Sequence, residues 1–408
     1  MKMRAYERLL DYVRIHTTSE DGQERIPSTL RQFDLGKRLA RELEALGVKN
    51  VRIDDKCYVY GEIPATKGME KAPGIGFIAH MDTAPDFPGE NVKPQVIADY
   101  DGKDVALGES GRMLTAKDFP HLPSLAGRTL ITTDGTTLLG ADDKAGVAEI
   151  MTMAEEVIRE KLPHGRICIG FTPDEEVGCG ADGFDVEGFG ADFAYTVDGG
   201  PENEIEYENF NAAGAKVRIK GFSVHPGDSK NTMINAALVA MEFNSMLPAG
   251  DTPSNTQGYE GFFHLCNMDG DVSQANLTYI VRDHDAAMFA CRLEMLRHIA
   301  NLLNEKYGSG TVTLTIREQY RNMKEKIEPC MHLIDNAKKA VESSGLTPVV
   351  VPIRGGTDGA RLSYMGLPCP NLGTGGYAFH GPCEHITAEG MDLVVKTLKE
   401  IVRLYSVQ

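Results

Sequence analysis

The chain has few positive charges and no cluster of them. Its 408 residues include 42 Lys and Arg against 59 Asp and Glu, which gives a formal net charge of −17. Nucleic-acid binding requires clustered Lys and Arg to neutralise phosphates, and the sequence contains no basic run. We therefore expect no nucleic-acid partner, and we interpret the acidic excess as a solvated surface.

Long apolar runs and paired cysteines are also missing. No stretch approaches the ~20 apolar residues of a membrane-spanning helix, so we expect no membrane partner. Residues 1–13 show an amphipathic pattern and lack the apolar core of a signal peptide. The eight cysteines are scattered, without a Cys-x-x-Cys pair, which favours reduced thiols. These features predict a cytoplasmic protein.

The pattern along residues 1–211 predicts an α/β domain. Leucines at helical spacing precede Gly47, a helix stop signal, and a second helical pattern surrounds Val147. Short apolar runs alternate with these helices, and Ile75–Ala79, Ile167–Phe171 and Phe193–Val197 predict buried strands. Strands that alternate with helices favour a mixed, mostly parallel sheet covered by helices on both faces.

The pattern changes near residue 212. From there the predicted order is strand, helix, two strands, helix and strand, which is the ferredoxin-like β-α-β-β-α-β arrangement. We expect this unit, residues 212–321, to be an inserted domain. The apolar run Val349–Ile353 and a final amphipathic helix then return to the alternating strand and helix pattern of residues 1–211. The first domain is thus predicted to be discontinuous, with parts at 1–211 and 322–408. Two domains are also what a chain of this length is expected to form.

Side chains typical of metal ligands follow three predicted strands, each where the strand ends. Because the carboxyl ends of neighbouring parallel strands meet at one edge of a sheet, we expect these side chains to lie together. Each group alone has an ordinary explanation as a surface or structural residue, and their coincidence is what favours a metal site. The residues are His80 with Asp82, the three consecutive acids Asp174, Glu175 and Glu176, and Asp198.

Two further segments offer ligands. Asp142 and Asp143 open the helix around Val147, where carboxylates also suit the helix dipole. The glycine-rich segment 373–385 contains His380 and His385, and the residues alone do not choose between them. Oxygen and imidazole ligands without sulfur suit zinc, manganese or cobalt in a hydrolytic role.

Several segments resemble the metal motifs of the two-zinc exopeptidase family that includes carboxypeptidase G and aminoacylases. These segments are His80–Thr83, Leu139–Gly146, Thr172–Gly178 and Thr196–Gly200. Others resemble the family members that cleave the N-terminal residue from short peptides, above all tripeptides; they are Gly258–Phe262, Ile353–Ala360 and Phe379–Gly381. The resemblance implies such an aminopeptidase. The alternatives are a related deacylase or carboxypeptidase, and a catalytically silent metal-binding protein.

The resemblance also implies a metal-binding role for five residues. Asp142 would bridge two zinc ions per chain, for which Co2+ or Mn2+ could substitute. His80 and Asp198 would complete one metal site, and Glu176 and His380 would complete the other. A short peptide would be the substrate.

The remaining roles implied by the resemblance concern catalysis and substrate binding. Glu175, which is not assigned to a metal, would be the general base, and Asp82 would orient the first histidine ligand. His225 would donate to the reacting oxygen of a partner subunit in a homodimer formed through the inserted domain. Arg282 would bind the C-terminal carboxylate of the substrate, with Arg354 as a second candidate.

Overall fold

The computed structural model describes residues 3–406. In chain order the helices are α1 (Ala5–Tyr12), α2 (Gln32–Leu46), α3 (Ala141–Glu160), α4 (Val186–Phe189), α5 (Ala236–Ser245), α6 (Ala286–Tyr307), α7 (Lys324–Ile327), α8 (His332–Ser343), α9 (Asp358–Tyr364) and α10 (Ala388–Ser406). The strands are β1 (Lys49–Ile53), β2 (Val59–Ile63), β3 (Ile75–His80), β4 (Gln95–Ile97), β5 (Val105–Ala106), β6 (Met113–Leu114), β7 (Leu130–Thr132), β8 (Ile167–Thr172), β9 (Phe193–Gly199), β10 (Glu204–Glu206), β11 (Asn211–Lys220), β12 (Phe262–Gly270), β13 (Gln274–Asp283), β14 (Val312–Tyr320), β15 (Val349–Val350), β16 (Asn371–Gly373), β17 (Gly376–Tyr377) and β18 (His385–Thr387).

Contacts between residues divide the chain into two compact units. Within the described part, the first comprises 3–207, 325–351 and 357–406, and the second comprises 208–324 with 352–356. The short piece Pro352–Gly356 lies far in sequence from the predicted insertion. It joins the second unit because Ile353 pairs with Asn209 in an isolated β-bridge and Arg354 binds backbone carbonyl groups of that unit.

An eight-stranded sheet forms the centre of the first unit. Its order is β1-β2-β8-β3-β9-β16-β10-β15, and the parallel neighbours are β8/β3, β3/β9, β9/β16 and β10/β15. Every residue of β3 and β8 is buried, as expected for strands covered on both faces. The prediction of a mixed, mostly parallel α/β sheet is confirmed.

The predicted helices of the first unit follow their apolar spacing. In α2, Leu35, Leu39 and Leu43 are buried. The helix ends at Leu46 because Gly47 has a φ of 91°, a left-handed conformation that glycine adopts without steric cost. Among the helices within residues 3–406, none is long and apolar enough to cross a membrane.

The second unit has the predicted ferredoxin-like fold. Its strands form an antiparallel sheet in the order β12-β13-β11-β14, and α5 and α6 contribute side chains to the same apolar core. Helix α5 begins at Ala236, although the helical pattern of the sequence predicts a start at Asn231. Asn231 has a positive φ of 61°, and Asn235 caps the helix by accepting the backbone N–H of Leu238.

Candidate active site

Three adjacent strands bring histidine and carboxylate groups to one edge of the central sheet. β3 ends at His80, β9 carries Asp198 near its end, and β8 leads directly into a turn that holds Glu175 and Glu176. The side chains of His80, Asp142 and Glu176 offer ligand atoms within 4.8 Å of one another, and so do those of His80, Glu175 and Asp198. The expected convergence at a strand edge is therefore present.

Asp142 lies between two histidines. Its Oδ1 is 3.0 Å from Nε2 of His80, and its Oδ2 is 3.2 Å from Nε2 of His380. Nε2 of His80 is also 3.3 Å from Oδ1 of Asp198, and Nε2 of His380 is 2.9 Å from Oε2 of Glu176. Ligands at the corners of a tetrahedral zinc site lie about 3.3 Å apart, given metal–ligand bonds of about 2.0–2.1 Å. Asp142 thus lies between two histidine and carboxylate pairs, at distances that suit metal ligands.

The two histidines of the glycine-rich loop lie in different surroundings. His380 faces the carboxylates of Asp142 and Glu176. His385 is fully buried, and its Nε2 is 2.8 Å from Nε2 of His121. The structure therefore places His380 in the ligand cluster and His385 in a separate hydrogen-bonded pair.

Asp82 orients His80 and also anchors the acidic turn. Nδ1 of His80 lies 3.1 Å from the backbone oxygen of Asp82 and 3.4 Å from its Oδ1, so the Nδ1 proton is held there and Nε2 remains free to act as a ligand. The Asp82 carboxylate also accepts the backbone N–H groups of Glu175 at 3.0 Å and Glu176 at 3.2 Å. Sequence reasoning expected Asp82 to orient His80 but did not expect its contacts with the turn.

The electrostatics of the cluster fit bound cations. Burial, reinforced by the charge of Asp142, raises the pKa of Glu176 to about 8, and burial raises the pKa of Asp198 to about 6. Hydrogen bonds to Asp142 and Glu176 raise the pKa of His380 to about 11. Oε1 of Glu176 is buried and has no hydrogen-bond partner among residues 3–406. Crowded carboxylates with an unsatisfied oxygen are the donor set that a divalent metal ion completes.

Two acidic residues that sequence reasoning did not assign hold the ligands in place. Glu384 accepts the backbone N–H groups of Leu139 and Gly140, both at 2.7 Å, and of Asp142 at 2.9 Å. Asp143 accepts the backbone N–H of His80 at 3.1 Å. The position of Asp143 beside Asp142 was a signal for a shared role, whereas nothing near Glu384 in the sequence pointed to residues 139–142.

The three predicted substrate-binding residues lie in the second unit. His225 is in an exposed turn, where its Nδ1 accepts the backbone N–H of Gly227. Arg282 donates to two backbone carbonyl groups and lies over the ring of Tyr320. Arg354 donates to the carbonyl oxygens of Gly258 at 2.7 Å and Glu260 at 3.1 Å, and to the hydroxyl of Thr256 at 3.0 Å.

Comparison with known proteins supports the chemistry of this site. Residues 133–404 match the family model described as Peptidase family M20/M25/M40. The chain belongs to this peptidase family. Peptidase T of Clostridium perfringens (strain SM101 / Type A) is 55% identical over 404 residues, which cover 99% of each chain. Peptidase T of Alkaliphilus oremlandii is 52% identical over 403 residues, 98% of each chain.

Solved structures show the same M20 fold over the whole chain. A tripeptidase from Staphylococcus aureus superimposes with a TM-score of 0.80 and 21% identity, covering 100% of this chain and 99% of the other. Aminopeptidase PepT from Bacillus cereus gives a TM-score of 0.79 and 23% identity, with the same coverage. The expected architecture, an α/β exopeptidase fold with an inserted domain, is confirmed.

Proposed function

We propose that this chain is a metal-dependent aminopeptidase that removes the N-terminal residue from short peptides, above all tripeptides. The observation that carries the proposal is the Asp142 carboxylate, whose two oxygens face two different histidines in a cluster that also holds Glu175. Membership of a peptidase family supports peptide hydrolysis. The high identity to proteins named Peptidase T supports an aminopeptidase within that family.

We assign two metal ions, most naturally zinc, to the carboxylate and imidazole cluster. Asp142 would be shared, with His80 and Asp198 on one side and Glu176 and His380 on the other, and Co2+ or Mn2+ fit the same donors. The unpartnered buried oxygen of Glu176 supports this assignment. When bound, such a pair of ions polarises the scissile carbonyl and lowers the pKa of a water molecule.

Glu175 is the proposed general base. It takes a proton from the attacking water and later donates it to the leaving amine. Burial, and next the charge of Asp198, raises the pKa of the Glu175 carboxyl well above its usual range, as expected for a buried carboxyl group beside other carboxylates when no cation is bound. Asp82 keeps the Nδ1 proton of His80 in place, so that Nε2 of this histidine is available as a ligand.

The second unit supplies the proposed substrate contacts. Arg282 is half-buried, and among residues 3–406 no carboxylate forms an ion pair with it; its contacts are two carbonyl oxygens and the Tyr320 ring. A guanidinium without a counter-charge supports capture of the C-terminal carboxylate of a peptide. Arg354 is the weaker candidate because its donors already bind the loop around Gly258. His225, with a largely exposed imidazole, would donate to the reacting oxygen.

We also propose a homodimer formed through the second unit. Large apolar side chains are exposed on its two helices, including Leu238 and Met241 on α5 and Met288 on α6. Exposed apolar groups on one structural unit are typical of a protein–protein contact. A cytoplasmic location is proposed as well, and the eight free cysteines favour it.

The test is a product analysis by mass spectrometry. A library of di-, tri- and tetrapeptides is incubated with the protein, with zinc, cobalt and manganese supplied in separate reactions. We expect release of the N-terminal residue, fastest from tripeptides. Hydrolysis of N-acylated amino acids, or release of the C-terminal residue, would instead identify a deacylase or a carboxypeptidase. Absence of any amide hydrolysis with each metal would leave only a metal-binding role.

A further inference from the structure

The carboxylate of Glu175 is oriented only through its own main chain. Within the part of the chain that the structure describes, no hydrogen bond or ion pair holds its side-chain oxygens, although they lie close to ligand atoms of His80 and Asp198. The position of this carboxylate therefore depends on how firmly the loop 172–182 is held.

The first half of this loop is anchored near the central sheet. Asp82 accepts the backbone N–H of Glu175 at 3.0 Å. Asp174 accepts the backbone N–H of Ser28 at 2.6 Å and the side-chain amide of Gln32 at 2.6 Å. These contacts fix residues 174–176 from two sides.

The second half of the loop depends on helix α9. Nη1 of Arg361 donates to the backbone oxygen of Gly178 at 3.1 Å, and its Nη2 forms an ion pair with Asp182. The backbone N–H of Gly178 in turn donates to the backbone oxygen of Glu175 at 2.7 Å. A direct series of contacts thus leads from the Arg361 side chain through Gly178 to the main chain of Glu175.

Helix α9 provides a fixed support for these contacts. Its Asp358 accepts the hydroxyl of Thr172 at 2.7 Å. Asp358 also lies very close to the loop. A Cβ atom on residue 180 would be 2.2 Å from its Oδ1, so only glycine fits at this position. The helix is joined to the core through Ser363, whose hydroxyl accepts the backbone N–H of Cys369 at 3.0 Å. The helix and the loop are therefore held in one position relative to each other.

We propose that Arg361 is a positioning residue for Glu175. By fixing the second half of the loop, Arg361 holds the Glu175 carboxylate in the position where it acts as the base. The inference rests on the proposed function, in which Glu175 moves the proton. Arg361 is not among the proposed substrate contacts, so its loss should displace the base without removing a binding contact. Removing it should lower kcat and leave KM nearly unchanged.

The matched control for Arg361 is Arg52. Both arginines belong to the first unit, and Arg52 forms an ion pair of similar exposure with Asp185. Arg361→Ala and Arg52→Ala therefore remove the same charge and one ion pair each, but only the first removes the contact to Gly178. Arg361→Lys keeps a cation that can reach either Gly178 or Asp182, and it should restore part of the activity.

The experiment measures four quantities for these variants and the parent: kcat, KM, metal content and hydrogen exchange in the peptide covering residues 174–182. We expect Arg361→Ala to lose about tenfold or more in kcat, with KM within about twofold, metal content equal to that of the parent, and faster exchange in this peptide. Arg52→Ala should match the parent in all four.

Three results would overturn the proposal. One is a kcat of Arg361→Ala equal to that of Arg52→Ala. Another is unchanged exchange in residues 174–182, which would show that Arg361 does not hold the loop. The third is loss of bound metal, which would mean that Arg361 supports the ligand Glu176 instead. If the parent itself hydrolysed no peptide, the proposed function would fail, and the exchange comparison would still decide whether Arg361 holds this loop.

Discussion

Oδ1 of Asp82 lies 3.0 Å from the backbone nitrogen of Glu175. A residue expected only to orient a histidine ligand thus also fixes the main chain of the proposed base. Because β3 and β8 are parallel neighbours, the turn that follows one strand is placed directly beside the motif that ends the other. The sheet therefore places the start of the loop 172–182 beside the motif that ends β3, and the contacts along this loop then hold Glu175.

Glu175→Gln tests the role of the base. Glutamine keeps the shape of the side chain but cannot accept the proton, so turnover should fall by about 100-fold or more. Metal content should stay near two ions per chain, because the proposed ligands are untouched. Metal analysis of the dialysed variant distinguishes the alternatives. Loss of a metal ion would make Glu175 a ligand, as its closeness to His80 and Asp198 would allow, and normal turnover would remove it from the mechanism.

Asp142→Ala and Asp198→Ala test which carboxylate is shared. The two oxygens of Asp142 face His80 and His380, whereas Asp198 contacts only His80 of these two histidines. We therefore expect the Asp142 variant to lose both metal ions after dialysis and the Asp198 variant to lose chiefly one. Elemental analysis of the two proteins measures this difference. Equal and partial losses in both would contradict a bridging Asp142.

Glu384→Gln should weaken metal binding without removing a ligand. The carboxylate accepts three backbone N–H groups from residues 139–142, and the amide group of glutamine would turn a donor toward one of them. A lost contact of this kind costs about 1–3 kcal/mol. We expect a lower metal affinity in competition with a chelator. Glu389→Gln is the control, since Glu389 binds Thr129. Equal affinity in the two variants would contradict a positioning role for Glu384.

Sequence patterns predicted the central strands of the eight-stranded sheet, but they did not predict the separate sheet of very short strands in the first unit. The apolar runs at Ile75 and Ile167 are buried on both faces, so their composition alone identifies them. The sheet β17-β18-β7-β4 has strands of two or three residues, too short for an alternating pattern. Its pairs join distant segments, as in His385 opposite Thr132, and no local signal predicts such a pairing.

The same distinction applies to the site. Residues that follow buried strands, such as His80 and Asp198, could be recognised from their local context. The anchors could not, because each binds backbone groups far away in sequence: Glu384 reaches residues 139–142, and Arg361 reaches Gly178. Hydrogen bonds to the main chain leave no mark on the identity of the residue that contributes the backbone group.

Glu149 gives a prediction about stability and pH. It is fully buried in α3, and neither carboxylate oxygen has a hydrogen-bond partner within the part of the chain that the structure describes. Burial, with the charges of Glu202 and Asp392, raises its pKa well above the usual range. The unfolded chain releases this proton near pH 4.3, so the stability that the protonated carboxyl contributes is complete below that pH and is lost as the pH rises toward the folded pKa.

Two substitutions at Glu149 separate the cost of burying an unsatisfied polar group from the effect of ionising the carboxyl group. Glu149→Leu removes an unsatisfied buried group and should raise the free energy of unfolding by about 1–3 kcal/mol, with a larger gain at pH 8 than at pH 5. Glu149→Gln does not titrate but remains polar, so its gain over the parent should appear mainly at pH 8. Denaturant unfolding at the two pH values measures both. A gain for Glu149→Gln that does not change with pH would show that Glu149 is ionised throughout.

The preference for tripeptides gives the last prediction, and Arg282 is its test. The guanidinium is half-buried, and burial lowers its pKa, while its described contacts are carbonyl oxygens and an aromatic ring. A carboxylate from the substrate would supply the missing counter-charge. If Arg282 holds the C-terminus of the peptide, binding depends on how many residues separate this end from the bond that is cleaved, and peptide length is thereby selected. Binding at that remote end would help to position the reacting bond.

We expect Arg282→Ala to lower kcat/KM for a good tripeptide by about 10-fold or more, taking a lost charge-assisted hydrogen bond as roughly 1.5–3 kcal/mol. Metal content should not change. Amidation of the C-terminus of the same tripeptide should lower kcat/KM of the parent by a similar factor, and the two losses should not add, because each removes the same contact. Arg354→Ala is the comparison, since that side chain is already bound to the loop around Gly258. Unchanged kinetics with the amide would exclude recognition of the C-terminus and leave the free N-terminus as the group that sets peptide length.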